Sequence, residues 1–176
     1  SVMAGITLES LSRAFGVQRV VRCVPNTPAR IGRGVTAYVA SQACTAEDRQ
    51  LVEQLLEPLG SVEPIVAERL MDVVTAVSGS GPAYVFLLAE VLAVAAEQEG
   101  LDKETAMRLA SRTVAGAGAL MLETGEGPSA LRKQVSSPGG TTEAALDILG
   151  AGNGLGPLLR QAVAAAAQRS RDLGKR

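Results

Sequence analysis

Histidine is absent from all 176 residues. That absence removes any Ser/His/Asp triad, any HExxH zinc site and any imidazole acid or base. The chemistry must come from hydroxyls, backbone amides, carboxylates or a bound cofactor. Tryptophan is absent too and aromatic residues make up 2% of the chain, so the core is built from Ala, Leu and Val. The two cysteines, Cys23 and Cys44, form no CxxC pair. They predict neither a disulfide nor a metal site and suit a reducing cytoplasm. Seventeen basic residues against eighteen acidic ones, without a basic tract, exclude nucleic acid as a partner. The longest apolar run, 83–96, is interrupted by Glu90 and falls short of the ~20 residues that span a bilayer. With no signal-peptide pattern ahead of it, the expectation is a soluble, cytoplasmic protein with no membrane partner. A GxGxxG fingerprint is also missing. Gly79 and Gly81 are followed by Tyr84 where a third glycine is needed, and Gly152, Gly154 and Gly156 have the wrong spacing.

What is present divides into two grammars. The first third alternates strand and helix. Residues 1–4 read as the end of a strand, and Thr7 caps a short helix stopped by Gly16. Residues 18–24 and 35–40 read as strands; Thr45 with Asp48 opens a helix through Leu59, and 62–66 form another strand. This is the βα pattern of a doubly wound sheet. Beyond residue 67 the pattern is purely helical, with helices at 67–76, 82–99, 103–123, 129–134, 142–150 and 155–173. The helix over 83–96 carries apolar side chains on every face, and 110–122 adds small residues that permit close approach. One small domain cannot wrap such a helix, which predicts a homodimer or a larger homo-oligomer.

The segment VSSPGGTTEAAL, 135–146, places two hydroxyl pairs and two glycines at the mouth of a helix. Thr141 or Thr142 is expected at its N-cap. The unpaired first amides, with the helix dipole, make a seat for a carboxylate or phosphate, and the glycines allow close approach of a ligand.

This segment, the earlier SGSGPAYVF (78–86) and the still earlier RCVPNTPA (22–29) occur in the order and spacing of pyrroline-5-carboxylate reductases. The chain resembles that family from Ser1 to about Arg171. The resemblance implies an α/β N-terminal portion, an incomplete Rossmann-like sheet, followed by an all-α dimerisation domain. Residues 1–66 would be the C-terminal part of the dinucleotide-binding domain and 67–176 the helical dimerisation and substrate-binding domain. The expected chain is the distal half of the enzyme, without the pyrophosphate grip.

The implied reaction reduces the C=N bond of 1-pyrroline-5-carboxylate to proline with hydride from NADPH or NADH. It needs orientation and a hydrogen-bond donor, which suits a chain without histidine. The resemblance makes Thr142 the donor to the ring nitrogen. It assigns Ser136, Ser137, Gly139, Gly140 and Thr141 to the substrate carboxylate, and Glu68 to the neighbourhood of the ligand, with a solvated helix-start carboxylate as the close alternative. It sets Met3, Ala4, Pro25 and Asn26 beside the nicotinamide. Gln134 stands where many relatives carry Asn beside cofactor and substrate. The turn residues Ser78 to Pro82 read as structural. The alternative from a different class is a helical oligomerisation module without activity of its own.

Overall fold

A computed structural model of the chain describes residues 1–3 and 5–174. Two compact units emerge, one from Ser1–Pro82 with Gln161–Arg176, the other from Ala83–Arg160.

The first unit holds a three-stranded sheet in the order β1 (Val21–Pro25), β2 (Gly34–Ala40) and β3 (Gly60–Pro64). β2 and β3 are parallel, with Gly34 opposite Gly60 and Tyr38 opposite Pro64, joined by a crossover containing α2 (Ala46–Leu56). β1 and β2 are antiparallel, which departs from a purely parallel doubly wound sheet. The reason is length. Residues 26–33 form one tight 3-10 turn between them, and a parallel return needs a dozen residues or more. Residues 1–3 are not a strand as expected. The Ser1 amine nevertheless donates to the Val21 carbonyl (2.6 Å) and the Cys23 amide to the Ser1 carbonyl (2.7 Å), so this segment runs beside β1 in the parallel sense.

Local signals place the helices of this unit well. The Thr7 hydroxyl accepts from the Ser10 amide and opens α1 (Leu8–Phe15), which Gly16 ends at φ 65°. Thr45 and Asp48 form a complete capping box on α2, and Asp48 also pairs with Arg19 at 3.1 Å. The Thr45 amide, with Arg19 beside it, holds the Asp48 carboxyl below its ordinary range. α2 stops at Leu56 rather than Leu59 because Pro58 cannot continue an α-helix and takes a 3-10 turn instead. The core contains Leu11, Ala37, Tyr38, Val39 and Met71.

Tyr38 fastens helix to sheet. Its ring is buried and its hydroxyl donates to Glu53 of α2 at 2.5 Å. Burial first, then the hydrogen bond and charge of Glu53, push the phenol up to about 12 from 10.0. The neutral phenol is therefore the form the fold favours. Its contribution to stability is complete below pH 10 and is lost as pH rises through about 12. Tyr38→Phe is expected to cost about 2 kcal/mol in urea unfolding near neutral pH, the worth of one hydrogen bond to a charged group. A midpoint equal to the parent's would show that the bond contributes nothing.

The helical part of the chain follows the expected boundaries closely. The helical path from Glu68 runs through α3 (Met71–Val74) and a π turn (Thr75–Gly79) into α4 (Gly81–Gln98). Next come α5 (Lys103–Thr124), α6 (Pro128–Gln134), α7 (Thr141–Leu149) and α8 (Leu155–Leu173). In the second unit, Ala93 of α4 meets Ala106 and Ala110 of α5, an alanine seam that brings two helices close. The rest of α4 lies open: Phe86 is 59% exposed, Leu87 56% and Val91 53%. The length of the apolar run understated this element. The whole run Glu68–Gln98 is 31 residues with mean hydropathy 1.5 over its best window, long and apolar enough by those measures to cross a membrane.

Candidate active site

The SSPGGTT loop lies in the second unit, between α6 and α7. Neither Thr141 nor Thr142 is the N-cap: α7 begins at Thr141, and Gly140 occupies the cap with extended backbone (φ −85°, ψ 167°). Gly140 has no side chain to accept from the first helix amides, and only the reciprocal contact of a capping box is made. Glu143 reaches back and accepts from the Gly139 amide at 2.7 Å, a variant of the capping box shifted by one residue. Gly139 sits at φ 71°, a left-handed conformation that favours glycine. Gly140 is required for a different reason, since a Cβ there would lie 2.9 Å from the Ser137 carbonyl oxygen.

This arrangement leaves the amides of Thr141, Thr142 and Glu143 without a backbone partner among the described residues, because the first intrahelical bond runs from Ala144 to the Gly140 carbonyl. The Thr142 hydroxyl is half-buried and likewise has no hydrogen bond among the described residues. Ser136 is committed to the Arg132 carbonyl at 2.6 Å, whereas the exposed Ser137 keeps its hydroxyl open. Beside the loop lies a cleft of about 470 Å³ whose wall includes Arg132, Lys133, Ser136 and Glu143. The arrangement can hold a carboxylate on helix amides and present one hydroxyl to a neighbouring atom of the same ligand. Gln134, exposed at the end of α6, donates to Glu126 at 2.6 Å.

The remaining expected site residues belong to the first unit. Met3 is 58% exposed on the segment beside β1. Ala4 lies outside the described residues. Pro25 ends β1, and the side chain of Asn26 closes the following turn: its Oδ1 accepts from the Val35 amide at 2.9 Å and its Nδ2 donates to Ser78 at 3.5 Å. Ser78 lies in the π turn, an irregularity that often marks functional positions in helices. The Gly79 Cα faces Val24, with 3.5 Å from a Cβ position to its Cγ1. The SGSGP turn thus packs on the end of β1.

Glu68 is not a free, solvated carboxylate. Its Oε1 accepts from the Leu8 amide at 2.8 Å and from Arg22 Nη1 at 3.2 Å. Arg22 is the residue that sequence reasoning missed: its side chain is 5% exposed, and its Nε has no partner among the described residues. An arginine among the strand residues VRCVP was the available signal, since a charge there needs a buried counter-charge. Glu143 was also overlooked, although its spacing from Gly140 is that of a capping box.

Residues 68–173, more than half of the chain, match the family model described as pyrroline-5-carboxylate reductase dimerisation. The chain is 44% identical to a pyrroline-5-carboxylate reductase of Pseudomonas aeruginosa, covering 99% of this chain and 64% of that protein. A solved pyrroline-5-carboxylate reductase from Coxiella burnetii superposes with a TM-score of 0.93 at 40% identity, covering 98% of this chain and 64% of that one. Another, the Plasmodium falciparum pyrroline carboxylate reductase with NADP bound, superposes with a TM-score of 0.84 at 30% identity, covering 99% of this chain and 70% of that one. The chain spans 54% and 64% of the length of the first two curated relatives it matches. Across both units, with the glycine loop, the sheet and the helices all matched, this chain belongs to the pyrroline-5-carboxylate reductase family.

Proposed function

We propose that this chain works in the NADPH- or NADH-dependent reduction of 1-pyrroline-5-carboxylate to L-proline, the last step of proline biosynthesis, in the cytoplasm and as a homodimer or larger homo-oligomer. The observation that carries this reading is the loop before α7: three open helix amides, an open Ser137 hydroxyl and an unengaged, half-buried Thr142 hydroxyl. The substrate carries a carboxylate and, two bonds away, an imine nitrogen, and this loop offers a partner to each.

In the proposed mechanism the substrate carboxylate rests on the open amides of α7, Thr141 included, and on the Ser137 hydroxyl, while Ser136, Gly139 and Gly140, whose donors are spent on Arg132, Glu143 and Ser137, shape the loop around it. Thr142 hydrogen-bonds the ring nitrogen. A nicotinamide bound here would supply hydride to the imine carbon, and Thr142 would hold the ring nitrogen as it gains or keeps its proton. Met3, Ala4, Pro25 and Asn26 flank the nicotinamide, with Gln134 at the join of cofactor and substrate. The first unit suits that end of the cofactor: an exposed, apolar Met3 lies on the segment beside a strand that ends in a half-buried Pro25, followed by a half-buried Asn26. The residues 1–66 act in this reading as part of a Rossmann-like domain, and 67–176 as the dimerisation and substrate-binding domain.

The test is NADPH oxidation by 1-pyrroline-5-carboxylate, measured for a full-length reductase carrying this sequence. Absence of turnover overturns the function. The 176-residue chain is itself expected to bind NADPH at least about 100-fold more weakly than that enzyme. No GxGxxG occurs in it, and losing two charge-assisted phosphate contacts costs about this much. Calorimetry on both proteins decides it; equal dissociation constants would refute the expectation. A helical oligomerisation module without activity would bind no cofactor in either form.

A further inference from the structure

We propose that Arg22 and Glu68 form a positioning pair for the loop that faces the nicotinamide, so that Glu68 acts through this loop and not by touching substrate. The inference rests on the reading in which Met3 and its neighbours flank the cofactor. The chain ahead of α1 is held at three places. Residue 1 is bonded to Val21 and Cys23, on either side of Arg22. Gly5 is buried against the end of α8, where a Cβ would lie 3.1 Å from the Gly174 nitrogen. The Leu8 amide is bonded to Glu68, sixty residues away in sequence.

This last tie locates the start of α1. The Thr7 hydroxyl is spent on the Ser10 amide, so the local cap leaves the Leu8 amide without an acceptor, and Glu68 supplies it. Arg22 in turn fixes Glu68. The guanidinium is buried and Glu68 is its one ion-pair partner among the described residues, so the carboxylate cannot swing to solvent without stranding a buried cation. Moving the Glu68 carboxylate moves the end of the loop. A displacement of about 1 Å between reacting groups costs roughly 100-fold in rate.

A structural role and a positioning role separate by kinetics in a full-length reductase carrying this sequence. Glu68→Ala, which removes the acceptor of the Leu8 amide, is expected to lower kcat about 10- to 100-fold while the KM for 1-pyrroline-5-carboxylate stays within about twofold, whereas Glu68→Gln keeps an amide oxygen at that place and is expected to retain most of kcat. The double variant Arg22→Met with Glu68→Leu replaces the ion pair by apolar packing, which often preserves stability. It is expected to melt near the parent's Tm and still show the reduced kcat, because leucine offers no acceptor to the Leu8 amide. Recovery of kcat in the double variant would make the pair a stability element only. A raised KM for 1-pyrroline-5-carboxylate with kcat unchanged in Glu68→Ala would make Glu68 a substrate contact. Either result overturns the proposal while leaving the reductase function standing, whereas an unsubstituted enzyme without NADPH-dependent turnover removes the function and the proposal together.

Discussion

Replacing Thr142 with alanine in a full-length reductase carrying this sequence is expected to cut turnover by about 100- to 1000-fold, the loss typical of one donor aimed at developing charge, or about 2.7–4 kcal/mol. Thr142 has no other duty in the fold. It neither caps α7, which starts one residue earlier from Gly140, nor hydrogen-bonds any described residue. Its hydroxyl costs the fold nothing when removed, so a large effect would be chemical. The proposed carboxylate seat, the α7 amides with the Ser137 hydroxyl, keeps its groups in the variant, and the KM for 1-pyrroline-5-carboxylate is expected to change little. Thr142→Ser keeps the hydroxyl and is expected to retain much of the rate. Steady-state kinetics in which Thr142→Ala raises KM alone would reduce the residue to a binding contact.

The second large effect is on assembly. Light scattering at micromolar concentration is expected to give at least twice the 18.1 kDa of one chain. Phe86, Leu87, Leu88 and Val91 on α4, with Leu120 and Leu122 on α5, are exposed in the isolated chain at 47% to 76%. Burying each such side chain contributes about 1.5–3 kcal/mol, so a second copy laid over several of them is held strongly. Leu88→Asp would place a charge in that cover and is expected to weaken association more than about 100-fold, since an unpaired buried carboxylate costs several kcal/mol. A parent chain that scatters as a monomer would refute the assembly. Flotation with neutral lipid vesicles in place of self-association would instead give the apolar helix run Glu68–Gln98 to a bilayer.

Much of this molecule is legible residue by residue because its punctuation is local. Thr7 and Gly16 bound α1, Thr45 with Asp48 opens α2, and Gly125 at φ 66° ends α5, each through contacts within a few positions of chain. The helices expected at 103–123 and 155–173 form at 103–124 and 155–173, and the residue types of the SSPGGTT loop mark a helix mouth. Where local rules compete, they fail. Two threonines beside two glycines leave the cap of α7 undecided, and Gly140 takes it, with Glu143 accepting from the Gly139 amide just ahead of it.

By itself, then, the sequence determined the helices, the three strands of the sheet though not the segment ahead of α1, the absence of histidine chemistry and the helix-mouth loop, because propensity, capping and periodicity act over a few residues. Only the tertiary structure decided that β1 runs antiparallel to β2, that Glu68 is spent on Arg22 and Leu8, that Tyr38 is locked to Glu53, and that α4 leaves its apolar side chains uncovered. Each of these depends on which distant groups meet. A buried charge or hydroxyl takes whatever partner the packing brings within hydrogen-bond reach, and no short-range rule specifies that partner.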